Sequence, residues 1–211
     1  LTVSSAASDV YKRQVMLLIH NGEGNMGNFL RRVDVLTDKY NVVIFDYRGY
    51  GESSEFEIDN EMLLYAEFQN DVETMLAYCR EQYKGTFDVF GWGIGAGLAL
   101  GIAYGNDEVS HIVADTPYLS LADHKQRLEA AGKTVKLPTG YSAEHEPVKT
   151  LAGSPGKQIK GVKLVLGNKD AYYTDKDVRK KLGKSKLLDK ATLIIENPYH
   201  CLLYTSDAAD E

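Results

Sequence analysis

Four glycines alternate through Gly91-Trp92-Gly93-Ile94-Gly95-Ala96-Gly97. They follow an apolar run of strand length, Thr86–Phe90, and open a small-residue helical stretch, Ile94–Tyr104. Strand, glycine-flanked turn and helix make the layout of a nucleophile elbow, G-x-S-x-G, which lifts a hydroxyl or thiol from the end of a sheet to attack an acyl carbon. Gly91 and Gly95 fit the flanking positions, where strand and helix approach too closely for side chains. Gly93 occupies the nucleophile slot, so the turn offers neither hydroxyl nor thiol. A rival chemistry uses the same residues. Gly91, Gly93 and Ala96 satisfy G-x-G-x-x-A, and Asp115 closes the next strand, where an acid meets a ribose hydroxyl in nucleotide-binding Rossmann-like sheets. Against that reading, the fingerprint belongs to a first βαβ unit, and two strands precede it here.

The elements that must position this turn alternate in type. Short apolar runs at Val15–His20, Val42–Asp46, Thr86–Phe90, Val109–Ala114, Val162–Gly167 and Ala191–Ile195 predict strands buried on both faces. Between them, Asn28–Tyr40, Glu61–Tyr83 and Ile94–Tyr104 carry helical periodicity; Tyr65, Phe68, Val72, Met75, Leu76 and Cys79 fall on one face of the second. Alternation of this kind implies an α/β fold with a mostly parallel sheet and helices on both faces. Ser120–Gly161 is less regular, with one helical stretch at Leu121–Ala131 and then a polar segment rich in Pro and Gly. Such an insertion is either a small lid over a site or a solvated connection.

Composition narrows the function classes. With 211 residues, 44% hydrophobic and 26% charged, the chain has the balance of one ordinary globular domain. A net charge of −6 without a basic cluster gives no footprint for nucleic acid. No apolar stretch approaches the ~20 residues that span a bilayer. Two cysteines, Cys79 and Cys201, make neither a disulfide framework nor a metal site. The ends are unusual. Ser4–Gln14 and Cys201–Glu211 back-translate to reverse complements of each other, offset by one base, and resemble translated transposase sequencing adapter. Residues 1–14 and 201–211 are therefore expected to be non-native tails around a domain at 15–200 that is truncated at both ends. The second junction falls inside codon 200, whose remaining bases begin both His and Gln codons. Compartment and oligomeric state stay open.

Several motifs occur together in order: Leu18-Ile19-His20-Asn21-Gly22; Asp46-Tyr47-Arg48-Gly49-Tyr50-Gly51-Glu52-Ser53; the elbow; Thr116-Pro117-Tyr118-Leu119-Ser120-Leu121; Leu166-Gly167-Asn168-Lys169-Asp170; and Tyr199-His200. This set resembles the α/β-hydrolase superfamily, in its serine aminopeptidase and esterase-like branch, over essentially all of 15–200. Asn21 stands where that family usually has Gly, and Gly93 where it has Ser. The resemblance implies an α/β-hydrolase fold with a small lid. It implies that Asp170 orients His200, that His200 is the general base, and that the backbone N–H groups of Gly22 and Ile94 form the oxyanion hole. It calls for no cofactor and no metal. The expected ligand is a small ester or peptide-like molecule. Gly93 leaves two readings. Either the protein is a catalytically silent relative of serine hydrolases, or a one-base misreading hides an active serine hydrolase.

The remaining candidates have structural expectations. His20 is expected to hold the first turn by hydrogen bonds, and Asp46 and Arg48 to tie loops together. His111 should lie near the sheet end opposite the site. His124 and His145 should be solvated within the insertion, without partners for zinc. Cys79 should be core, and Lys176–Lys186 a solvated helix face. Tyr172 and Tyr173 either line a pocket or pack in a loop.

Overall fold

Apolar runs such as Val15-Met16-Leu17-Leu18-Ile19 are stable as strands only when both sheet faces are covered. The computed structural model, which describes residues 13–167, 176, 178, 180 and 192–195, shows this arrangement. Strands β1 (Gln14–Ile19), β2 (Tyr40–Ile44), β3 (Phe87–Trp92), β4 (Val109–Asp115), β5 (Gly161–Gly167) and β6 (Thr192–Ile195) form one sheet in the order β2-β1-β3-β4-β5-β6. Every pairing is parallel. Among the described residues the α-helices include α1 (Leu30–Thr37), α2 (Glu67–Gln82), α3 (Ile94–Ile102), α4 (Leu121–Ala130) and α5 (Pro147–Thr150).

The period-2 pleat sends alternate residues of β1 into different cores. Leu17 and Ile19 join the large cluster, with Phe68, Val72 and Leu76 of α2 and the whole of α3. Met16 and Leu18 face the other way, onto Phe29 and Trp92, with Val33 and Leu36 of α1 beside them. In α2, Phe68, Val72, Leu76 and Cys79 make the buried stripe, and each large side chain so placed contributes about 1.5–3 kcal/mol. Glu67 in its first turn and Arg80 in its last match the helix dipole. α3 is apolar throughout and lies against the sheet. A methyl group at Gly95 would overlap the carbonyl oxygens of Ile19 and His20, so only glycine admits this approach.

Three boundaries differ from the sequence expectation. Tyr40 belongs to β2 rather than to the preceding helix, which ends at Thr37, and β2 closes at Ile44, leaving Asp46 in a loop. α2 starts at Glu67 rather than Glu61. The residues before it pair instead with a distant segment: Lys136 donates its N–H to the Glu61 carbonyl at 2.7 Å, and Leu63 donates to the Lys136 carbonyl at 2.9 Å. Tertiary pairing thus overrides local helical periodicity.

His124 is a further correction. It is buried, at 5% exposure, because Leu121, His124 and Leu128 form the inner stripe of α4. His145 is half-buried, and its Nδ1 is enclosed without a hydrogen-bond partner. His111 lies in the first half of β4, exposed, with Nδ1 3.0 Å from Asp88 Oδ1. Most of Lys176–Lys186 lies outside the described residues.

Cys79 is fully buried, and desolvation pushes its thiol up to about 11. The thiolate is the reactive form. Cys79 is therefore expected to resist iodoacetamide in the folded protein at mildly alkaline pH and to alkylate in urea. Peptide mapping separates it from Cys201, and fast native alkylation of Cys79 would contradict the burial.

Candidate functional site

In a parallel sheet whose order reverses, ligands bind beyond the carboxyl ends of the strands at the reversal. Here the chain runs from β1 outward to β2 and returns to β3 on the other side of β1. The loops after β1 and β3 therefore meet, and the sequence puts His20-Asn21-Gly22 on one and Gly93 on the other.

The turn at Gly93 is sharp. Its φ of 57° and ψ of −126° lie in a region that residues with a Cβ enter at a cost of about 1–3 kcal/mol. Gly93 donates its N–H to the Asp115 carbonyl at 3.0 Å, and its own carbonyl accepts from Ala96 at 3.1 Å and Gly97 at 3.3 Å. The turn is thus suspended between the end of β4 and the first turn of α3. Ile94 is the first residue of that helix. Asp115 sits buried at the end of β4, and its charge raises the affinity of the Arg32 guanidinium for its proton, against the larger, opposing effect of burial.

The facing loop is built around His20, which is fully buried. Its Nδ1 accepts a hydrogen bond from the Gly22 N–H at 3.1 Å, which puts the proton of the neutral ring on Nε2. Its carbonyl accepts from Tyr47 Oη at 3.0 Å. Its ring stacks on Phe29, with centroids 5.1 Å apart. Desolvation lowers its pKa from 6.5 to about 4, opposed by a weaker backbone contact with Phe45. His20 is thus a neutral scaffold for the loop, as its position suggested. The Gly22 N–H, an expected oxyanion donor, points to this ring.

The second loop is also structural. The Asp46 carboxylate accepts from the Met26 N–H, and its carbonyl accepts from Ser53 Oγ at 2.7 Å. Arg48 grips Asp71 in a two-pronged pair through Nε and Nη2, at 3.0 and 2.6 Å. Asp46 thus ties loops together as expected, whereas Arg48 ties its loop to α2.

Above these loops lies a cleft of about 920 Å³. Ile58, Leu63, Leu64, Phe68, Ile94 and Leu128 give it apolar walls, and Asn21, Glu23, Asp59 and Lys133 give it a polar edge. Burial raises the Glu23 carboxyl pKa, while its hydrogen bond with Asn21 and the charge of Lys133 pull it down. His124 also lines the cleft and is held neutral, with a pKa of about 4, chiefly by desolvation. Of the insertion 120–161, α4 and the stretch Lys133–Val135 form one wall. Lys136 then straps that wall to the other side, its Nζ lying 2.9 Å from Asp59 and 2.8 Å from Glu61.

This strap escaped the sequence reading. Its one signal was the unbroken apolar run Met62-Leu63-Leu64-Tyr65, too continuous for one helix face. Asp170, His200, Tyr172 and Tyr173 lie outside the described residues. Among the described residues, no group of three or more His, Cys, Asp or Glu is placed to hold a metal ion, and no helix is long and apolar enough to cross a membrane.

An all-parallel sheet, an order reversal at β1 and a glycine-flanked turn between β3 and α3 beneath a cleft define an open α/β sheet architecture. No family model and no curated protein sequence matches the chain. Solved structures do. The esterase Pf2001 of Pyrococcus furiosus superposes with a TM-score of 0.66 at 15% identity, over 89% of this chain and 75% of the esterase. A lipase-esterase related protein from Clostridium acetobutylicum gives 0.57 at 16% identity, over 94% and 92%. The enol-lactonase of Burkholderia xenovorans gives 0.57 at 14% identity, over 93% and 88%. The fold is the α/β-hydrolase fold.

Proposed function

We propose that this protein is a non-catalytic relative of serine esterases and peptidases whose cleft binds a small acyl or peptide-like ligand. One observation carries the reading. The turn at Gly93, between the carboxyl end of β3 and α3, has a positive φ of the kind a nucleophile elbow needs and carries no side chain. An acyl-enzyme needs an attacking oxygen or sulfur, and loss of one triad member removes several orders of magnitude in rate. The Gly22 N–H, engaged by His20, supports the same conclusion. By resemblance Asp170 and His200 would orient and supply a general base, but a base without a nucleophile forms no covalent intermediate. The cleft itself, apolar inside with a polar edge, suits a small amphipathic ligand.

A fluorophosphonate probe, which reacts with activated serine, tests the proposal. The protein is expected to remain unlabelled at the cleft while short N-acyl amino acids raise its melting temperature, because a ligand bound only to the folded state stabilises it. Robust labelling at a single cleft residue would overturn the silent reading.

The second reading, an active serine hydrolase with position 93 misread, draws on the same turn, since the φ and ψ of Gly93 are those a nucleophile would take. It expects Gly93→Ser to hydrolyse p-nitrophenyl esters and Asp170→Asn to abolish that activity. A folded, inert Gly93→Ser protein counts against it.

A further inference from the structure

We infer that Asn21 and Gly93 are a matched steric pair: the Asn21 side chain fills the space that any side chain at 93 would need. The inference deepens the proposed function, because it makes the missing nucleophile one half of a two-residue rearrangement of the cleft floor. A Cβ placed on Gly93 would stand 2.9 Å from Asn21 Cβ and 3.7 Å from its Cα. Two carbons at that separation are in repulsive overlap. The clash is with the root of a side chain, so rotating χ1 of Asn21 does not relieve it. One backbone must move.

Neither backbone is free to do so. Asn21 is buried, at 7% exposure, and follows the fully enclosed His20. Its carboxamide clasps Glu23 from both ends: Oδ1 accepts from the Glu23 N–H at 3.2 Å, and Nδ2 donates to Glu23 Oε2 at 2.9 Å. On the other side, the Gly93 peptide is anchored to Asp115, Ala96 and Gly97. α3 cannot retreat toward the sheet, because Gly95 already touches the carbonyls of Ile19 and His20. The two changes are therefore coupled. Asparagine at 21 requires glycine at 93, and a side chain at 93 requires glycine at 21. The cleft accordingly presents, beside the elbow, a carboxamide joined to the Glu23 carboxylate in place of a hydroxyl.

A double-mutant cycle tests the pairing in the full chain. Gly93→Ala is introduced with Asn21 intact and together with Asn21→Gly, and the four melting temperatures are compared. The cost of positive φ is common to both backgrounds and cancels. The drop caused by Gly93→Ala is expected to be at least twice as large with Asn21 intact. Equal drops overturn the pairing, as does failure of Gly93→Ala to fold in both backgrounds, since the pairing requires rescue by glycine at 21. A functional arm uses Gly93→Ser in the same two backgrounds with the fluorophosphonate probe. Labelling is expected to be at least tenfold faster once Asn21→Gly makes room. Equal measurable rates overturn the pairing, and if neither variant is labelled the melting cycle decides. Labelling of the unsubstituted chain would instead overturn the proposed function and leave the pairing intact.

Discussion

Gly95→Ala is expected to leave little or no folded protein. The added methyl group would lie within the carbonyl oxygens of Ile19 and His20 and 2.7 Å from the Ile19 carbonyl carbon. All are backbone atoms at or just after the end of β1, a strand paired on both sides, so no rotamer change absorbs the collision. Alanine favours helix over glycine by about 1 kcal/mol, which works the other way. Overpacking a well-filled core costs about 1–3 kcal/mol where side chains can shift, and more where they cannot. Separating α3 from the sheet would also undo the packing of Ala96, Leu98, Ala99 and Leu100, all fully buried. A loss of at least about 3 kcal/mol is a large part of the 5–15 kcal/mol that stabilises an ordinary domain. Soluble yield and urea unfolding measure it. Gly105→Ala, where an added Cβ meets nothing within 4 Å, is the matched control and should be nearly neutral. A Gly95→Ala protein as stable as that control would refute the close approach of α3.

The second large effect is acid destabilisation centred on two buried imidazoles. His20 and His124 are both shifted from 6.5 to about 4 by burial. In the unfolded chain both take up protons near pH 6.5, while in the folded protein they stay neutral until about pH 4. Between those values the unfolded state binds more protons, so stability rises with pH and is lost as pH falls. Their contribution is complete above about pH 6.5. From pH 7 to 5 the two together should cost on the order of 3 kcal/mol. Glu23, whose carboxyl is raised, acts in the opposite sense, but it is a single partly exposed group. Urea titrations near pH 7 and 5 give the slope, and His124→Gln should remove about half of it. A stability that is flat over this range would show that both rings are solvated, and half the expected slope that one of them is.

The fold was largely legible before the structure. Buried parallel strands advertise themselves as unbroken apolar runs, and Val15–Ile19 or Leu164–Gly167 could be little else. The elbow was legible for a different reason: glycines at 91, 93 and 95 mark places where the backbone itself is the contact surface. His124 was the instructive failure. The motif of an inner helix face was present at Leu121, His124 and Leu128, but a polar side chain in an irregular segment suggested solvent. Long-range pairing was invisible for a plainer reason. Nothing local in Lys133–Lys136 indicates that it will lie beside Glu61–Leu63, more than seventy residues earlier in the chain. The contact between Asn21 and Gly93 belongs to the same kind: each departure could be noticed alone, and only the geometry joins them.

The strap at Lys136 bears on how fast molecules exchange with the cleft. Two backbone hydrogen bonds and one ammonium shared by two exposed carboxylates hold it to the opposite wall. A latch of that composition is sensitive to ionic strength, because salt screens the exposed charges and leaves the backbone hydrogen bonds untouched. Raising salt should therefore quicken both entry and departure of a neutral guest while leaving its equilibrium occupancy nearly constant. On the proposed reading, the wall would act as a turnstile whose stiffness the surrounding electrolyte sets.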